Sequence, residues 1–441
     1  EITYGDWSSD VCSSDLLNNS SDGSHPCARD LVMGKALTCD SKAGTPETKW
    51  NVMNIRAAVA KQLLHRIAPH VDVKVVLPNG EVLGPDKTGI PTLKILNENF
   101  FNRLGNDLKI GLGESFMAGE WVADPDLGDV LTPYAERLLN IVPGWMRKFR
   151  KIFEPFQPKH EENNPEGSKS NISRHYDLSN ELFMLFLDET LTYSSANFGQ
   201  DTHSFENLAK AQIRKIEGIL DFAGVKAGMN ILEIGTGWGQ LAMQAAYRGA
   251  KVHSITLSKE QKALADQRIA KAGLTNLINV EIRDYRHLQG EYDAVVSVEM
   301  IEAVGEKYWP TYFEAISKHL KKGGRFGLQA ITMPDDRLQA SKHAYTWIHK
   351  YIFPGGIIPS REVIDQFTRP TLKLVDSRPL GPDYGVTLKL WRERFMNNYE
   401  QVKALGFDDE FGRMWQYYLA YSEAGFRSGH LNVWQLGFEK K

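Results

Sequence analysis

From residue 205 onward the sequence alternates short apolar runs with amphipathic stretches, and this alternation constrains the fold more than any other feature. "NILEIG" predicts a strand and "GQLAMQAAYRG" a helix; "KVHSITLS" predicts a strand and "KEQKALADQRIAKAG" a helix. "INVEIRDY" and "YDAVVSVEM" read as strands, "YWPTYFEAISKHL" as a helix starting near Pro310, and "GRFGLQAIT" as another strand. Such repetition builds a doubly wound parallel sheet, an α/β fold, because parallel neighbours need a long crossover and a helix supplies it. Near the end, "HLNVWQLGFEK" is a candidate for an extra antiparallel edge strand.

The chain of 441 residues has room for more than this one sheet. Apolar positions recur at helical spacing from Asn54 to about Ala68. "VDVKVVLPNGEVLG" then alternates around Asn79-Gly80, a hairpin signal. "PTLKILN" continues as strand, a helix follows from Glu98 to Leu104, and "DLKIGLGESFMAGEWVAD" reads as a strand and a helical turn. These features outline a small α+β domain over residues 53–140, a linker over 141–172 and the larger domain over 173–441. In the linker, Arg147, Lys148, Arg150 and Lys151 stand among Trp145, Phe149, Ile152 and Phe153. That pattern suits either a membrane interface or a helix packing its rings on the next domain. Residues 1–52 are Ser/Asp-rich without periodicity, resemble the translation of a sequencing adapter, and lack the apolar core of a secretory signal. Met33 and Met53 are candidate natural starts.

Composition excludes several function classes. A net charge of −3 argues against a dedicated nucleic-acid binder. No run approaches the ~18 apolar residues of a membrane-spanning helix, so a membrane role is expected to be peripheral. Cys12, Cys27 and Cys39 all precede the folded body, which removes thiol nucleophiles and a cysteine-rich zinc site from it. No metal-ligand set is assigned, and a reducing, cytoplasmic setting is compatible with these features.

The strand "ILEIG" runs into glycines at 235, 237 and 239. The dinucleotide fingerprint G-x-G-x-x-G fails, because its sixth position is Gln240. G-x-G-x-G preceded by Glu233 points to S-adenosylmethionine, whose amino-acid end needs close backbone rather than a pyrophosphate cradle. A dinucleotide and a purely structural turn remain the alternatives. After the second strand, Thr256, Ser258 and Gln261 stand where a ribose-binding carboxylate is often found, and Asp284, Tyr285 and Arg286 follow the third strand as candidates to flank an adenine.

"RHYDLSNELFMLFLDETLTYSSANF", "LEIGTGWG", "ITLSKEQ", "DYR", "VSVEMIEAVGEKYWPTYF", "YIFPGG" and "DYGVTLKLW" occur in order at fitting spacings. Together they resemble the cyclopropane-fatty-acyl-phospholipid synthases, and the resemblance covers about residues 53–440. It implies a Rossmann-like class I methyltransferase sheet behind a small N-terminal α+β lipid-binding domain. It implies methyl transfer from S-adenosylmethionine to a cis double bond of a phospholipid acyl chain, with proton loss closing a cyclopropane. It further implies a peripheral membrane enzyme, a homodimer, and a bound bicarbonate as base.

Carried over residue by residue, the family glutamate falls on Glu302, the tyrosine on Tyr384 and a main-chain contact on Ile331. Two positions depart: Ser195 replaces a cysteine and Gln329 a histidine. A C-terminal position often carrying cysteine reads Ser422. The cofactor pattern lands on Tyr193, Ser194, Gly235, Gly237, Gly239, Thr256, Gln261 and Tyr285. The site assignments have plainer structural readings, an ion pair for Glu302 and a packing cluster for Tyr384, and Phe183, Phe186, Tyr308, Trp309 and Tyr312 are candidates either to line an acyl channel or simply to be core. Trp238 is expected to pack the helix start, and His343 and His349 to be structural. Because Ser195 and Gln329 alter the cluster around the base, a methyl- or methylene-branched product without ring closure is the alternative, and a catalytically silent lipid-binding protein a third reading.

Overall fold

A computed structural model describes residues 46–141 and 179–441. Most of the leader and the basic-aromatic linker lie outside the described residues, as do His175 and Tyr176, which the sequence places over the cofactor, one of them as a lid contact and neither as the base. Trp50–Lys441 forms one compact unit.

The first sheet has four strands, β1 (Lys74–Val76), β2 (Val82–Leu83), β3 (Thr92–Ile95) and β4 (Trp121–Asp124), in the order β2-β1-β3-β4. β1 and β2 form the antiparallel hairpin expected around Asn79-Gly80, where Gly80 has φ 85°. "DLKIGLG" becomes the start of the helix Gly111–Met117 rather than a strand. The cause is local: Asp107 Oδ1 accepts the amides of Lys109 and Ile110 at 2.8 and 3.1 Å, winding the chain into a turn. Gly111 then sits so close to the helix Asn99–Asn106 that an added Cβ would lie 2.3 Å from the Arg103 carbonyl oxygen.

The second sheet has seven strands: β5 (Asn230–Ile234), β6 (Lys251–Thr256), β7 (Ile278–Ile282), β8 (Tyr292–Val298), β9 (Leu320–Thr332), β10 (Leu372–Pro379) and β11 (Asn432–Lys440). Their order is β7-β6-β5-β8-β9-β11-β10. β5 to β9 pair in parallel, as the alternation requires. "NVWQLGFEK" is antiparallel as expected, yet it is interior, lying between β9 and β10. The edge belongs to β10, "LKLVDSRP", in which only Leu372 is buried; an exposed edge strand carries little apolar periodicity and so leaves little trace in sequence.

After β7 the chain returns across the sheet to β8, beside β5. The carboxyl ends of β5 and β8 therefore flank a topological switch point, where doubly wound sheets open a crevice. An aromatic core closes the other side: Phe183, Phe186, Trp391 and Trp415 are fully buried and join the helices Gly381–Asn397 and Asp409–Arg427 to Phe116 on the helix Gly111–Met117 and Trp121 on β4. Buried Arg392 fastens the same junction, pairing with both oxygens of Asp126 at 2.7 and 2.9 Å and with Glu423 at 2.7 Å.

Candidate active site

β5 ends in the glycine turn, and Gly235, Gly237 and Gly239 all have left-handed backbones, with φ of 98°, 52° and 86°. Their roles differ. Gly235 and Gly237 line a cavity at the switch point, and a Cβ on Gly237 would stand in open space. Gly239 does not line it; it caps the helix Gln240–Tyr247, where a Cβ would come within 3.2 Å of the Ala265 side chain. Beneath the turn, Ser254 Oγ donates to buried Glu233 and shares a 2.6 Å hydrogen bond with Thr236. Burial pushes the Glu233 carboxyl up to about 8.

Tyr193, Ser194, Thr256, Gln261 and Tyr285 line the same cavity, so seven of the eight expected cofactor residues converge there from separate segments. Thr256 Oγ1 donates to Gln261 Oε1 at 3.0 Å, and Arg286 holds Asp284 through two hydrogen bonds of 2.9 and 2.6 Å beside Tyr285. The residues present fit S-adenosylmethionine: close backbone without Cβ atoms at 235 and 237, neutral hydrogen-bonding groups at 256 and 261, and an aromatic ring at 285. Trp238 chiefly packs, as expected, with its ring 4.8 Å from Phe183 and its Nε1 donating to Asn180 Oδ1 at 2.8 Å. Phe183, Phe186, Trp309 and Tyr312 are buried core residues.

The polar cluster expected to hold an anion is assembled around a residue that the sequence reading did not single out, Glu299. It follows β8 in a left-handed conformation, φ 49°, rare for a residue with a side chain. Glu299 Oε1 accepts from Ser195 N at 3.0 Å and from Gln329 Nε2 at 2.8 Å, and the Tyr384 hydroxyl hydrogen-bonds to the same carboxylate. Ser195 serves through its main chain; its hydroxyl turns to the Ala196 carbonyl at 3.0 Å. Gln329 is oriented from behind, because Gln435 Nε2 on β11 donates to its Oε1 at 2.8 Å, leaving its Nε2 to face Glu299.

Glu302 sits on the short turn Ile301–Ala303 that follows. Its Oε1 accepts from Ile331 N, so Ile331 contributes main chain here too, and its buried Oε2 has no hydrogen-bond partner among the described residues. Burial, reinforced by the negative charge of Glu299, pushes Glu302 up to about 8. Burial raises Glu299 as well, opposed by its donors and by Lys215. Lys215 is the second unforeseen residue: it lines the cavity, is buried, and donates to Ser194 Oγ at 2.6 Å. The donors that a bicarbonate would need at Ser195, Gln329 and Tyr384 are thus engaged by the chain's own carboxylate, and the residues present do not fit a second anion there. The available sequence signal was two carboxylates three residues apart, Glu299 and Glu302, at the carboxyl end of a buried strand.

Comparison with known proteins bears on the family and the fold. Residues 163–436 match the family described as mycolic acid cyclopropane synthetase. A tuberculostearic acid methyltransferase of Mycobacterium tuberculosis is 48% identical over 386 residues, covering 86% of this chain and 90% of its own. The cyclopropane-fatty-acyl-phospholipid synthase of Escherichia coli is 32% identical over 362 residues, covering 79% and 87%. Among solved structures, a mycolic acid cyclopropane synthase complexed with SAH and CTAB superposes with a TM-score of 0.57 at 28% identity, over 64% of this chain and 99% of that one.

Proposed function

This chain belongs to the mycolic acid cyclopropane synthetase family, and from that premise we propose that it methylates the cis double bond of an unsaturated phospholipid acyl chain, using S-adenosylmethionine. The observation that carries the reading is the meeting of two features at one switch point. At the carboxyl ends of β5 and β8, Glu299 lines the glycine-turn cavity, and Glu302 follows it three residues on with its carboxyl buried.

An alkene is a weak nucleophile, so the site must hold it against an activated methyl and then remove a proton. Bound S-adenosylmethionine would supply that methyl on a sulfonium. Gly235, Gly237, Tyr193 and Ser194 would hold its amino-acid end, Thr256 and Gln261 its ribose, and Tyr285 its adenine. Tyr384, Gln329 and Ser195 orient Glu299; Ile331 orients Glu302. Buried aromatic packing around Phe183 and Trp238 excludes water from this side of the cavity.

We favour a methyl- or methylene-branched product that retains a double bond. Support comes from the relative named tuberculostearic acid methyltransferase, 48% identical, and from Ser195 and Gln329 standing where the resemblance has cysteine and histidine. Proton loss without ring closure leaves an olefin, so a saturated branch would require a separate reduction. Ring closure is the second reading, favoured by the 32% identity to the Escherichia coli cyclopropane-fatty-acyl-phospholipid synthase and by Glu302, Tyr384 and Ile331 matching the family pattern. No helix among the described residues is long and apolar enough to cross a membrane. On the family resemblance alone, we read access to lipid as peripheral, from the cytoplasmic side, with a homodimer as the working assembly.

The test incubates the protein with labelled S-adenosylmethionine and vesicles of cis-monounsaturated phospholipid, and analyses the fatty acids by mass spectrometry and proton NMR. Labelled chains with olefinic signals support the branched reading, and high-field cyclopropane signals support the second. No label in lipid, with cofactor binding shown separately, overturns both.

A further inference from the structure

Three donors from distant parts of the chain converge on the Glu299 carboxylate: the Ser195 amide, the Gln329 side-chain amide and the Tyr384 hydroxyl. None of these placements is loose. The Ser195 segment is pinned where the Ala196 amide donates to Thr387 Oγ1 at 3.2 Å. Gln329 is locked by Gln435, which also donates to the Lys215 carbonyl at 2.9 Å. Tyr384 is held by ring packing against Phe426, with centroids 4.5 Å apart. The cradle is built for an anion, and the anion in it is covalently part of the chain.

Two further observations separate this residue from an ordinary buried acid. Glu299 keeps a left-handed backbone, φ 49°, which an unconstrained residue with a side chain avoids; such strain persists where surrounding structure and function hold it. It also lines the cavity fitted to the cofactor, whereas Glu302 does not. A free bicarbonate added to the cradle would bring another negative charge beside two carboxyl groups, while the nearby Lys215 already donates to Ser194.

We propose that Glu299 is this chain's own catalytic base and stands in the place of a bound bicarbonate. The inference rests on the methyl-transfer reading above. In that reaction the alkene π pair forms a bond to the methyl carbon as the carbon–sulfur bond breaks, with its electron pair staying on sulfur. The neighbouring chain carbon becomes a cation. A carbon–hydrogen bond then breaks: its electron pair quenches the cation, forming a new double bond or closing the ring, and its proton passes to the Glu299 carboxylate. The resulting carboxylic acid later releases that proton to solvent. Tyr384, Gln329 and Ser195 are positioning residues, since they act through Glu299.

The experiment uses the full chain and two variants. Glu299→Gly suits the left-handed backbone and vacates the cradle; Glu299→Gln fills it with a group that takes no proton. Methyl transfer to phospholipid vesicles is measured in carbon-dioxide-free buffer, with and without added bicarbonate, and bicarbonate binding is read separately from the melting temperature. The unsubstituted chain is expected to be indifferent to bicarbonate in both readouts. Both variants should lose roughly 10²–10⁴-fold in turnover. Bicarbonate should raise the melting temperature of Glu299→Gly and restore part of its turnover, and should do neither for Glu299→Gln. The proposal is overturned if the unsubstituted chain needs or binds bicarbonate, or if Glu299→Gln keeps its turnover. If the unsubstituted chain labels no lipid, the methyl-transfer reading fails, and the melting temperatures still decide whether Glu299 fills an anion site.

Discussion

Lys215 Nζ stands 2.6 Å from Ser194 Oγ, which places a buried amine in the cavity wall. Burial pushes that amine down to about 8, while the charges of Glu299, Asp188 and Glu233 pull the other way. Lys215→Met would leave those acids without their buried cation. We expect a loss of about 3 kcal/mol in urea unfolding, since stranded buried charges are costly. S-adenosylhomocysteine should also bind more weakly, because Ser194 loses its donor. A loss below about 1 kcal/mol would show that the acids are solvated or neutral and that Lys215 only fills space.

The Glu302 carboxyl titrates near 8 in the folded chain against an ordinary value of 4.5. Between those values the folded state holds a proton that the unfolded state has released. Its contribution to stability is therefore complete below about pH 4.5 and declines as pH rises toward 8, by at most about 1.4 kcal/mol per pH unit. Glu302→Gln removes that slope, whereas Glu233 titrates alike in both proteins and cancels. Urea unfolding of the two proteins at several pH values from 5 to 8 should show the variant gaining relative stability as pH rises. Parallel curves would place the Glu302 titration elsewhere.

Gly237 and Gly239 should separate under substitution by alanine. Both backbones are left-handed, so each change should cost about 1 kcal/mol in strain. At Gly237 the new methyl enters the open cavity and should weaken S-adenosylhomocysteine binding at least about tenfold, equivalent to about 1.4 kcal/mol. At Gly239 it meets Ala265 instead and should lower the melting temperature with little change in affinity. Calorimetry of both variants checks the contrast, and the reverse pattern would move the cofactor off the glycine turn.

Arg392 joins Asp126, ahead of the helix Leu127–Ile141, to Glu423 on the helix Asp409–Arg427. Its guanidinium is buried, and its fork engages both Asp126 oxygens. Arg392→Met should cost about 3 kcal/mol by taking the guanidinium from between two carboxylates, leaving, among the described residues, Glu423 with Arg427 alone and Asp126 with only the backbone amides of Gly128 and Asp129. Arg392→Lys should recover little of this, because an ammonium does not reproduce the fork. Chemical unfolding measures both; full recovery by lysine would reduce the contact to a simple charge pair.

Much of the fold was legible because it is written in local patterns. The glycine turn after "ILEI" and the strand–helix alternation after residue 205 need no distant partner to be read, and the parallel sheet follows from them. Asp107, which turns "DLKIGLG" into a helix, and β10, which presents mostly exposed side chains, were harder. Their signals depend on one capping carboxylate and on edge position rather than on periodicity.

The sequence by itself determined the sheet, the glycine turn that opens the cavity, and the positions of Glu302, Tyr384, Ser195, Gln329 and Ile331. Only the tertiary structure decided that three of these turn their donors toward Glu299, that Ser195 does so through its main chain, and that Lys215 donates to Ser194. The physical reason is separation along the chain. Residues 195, 215, 299, 329 and 384 lie on different elements, and a carboxylate's partners, charge and accessibility are set by what folding brings within about 3 Å of it.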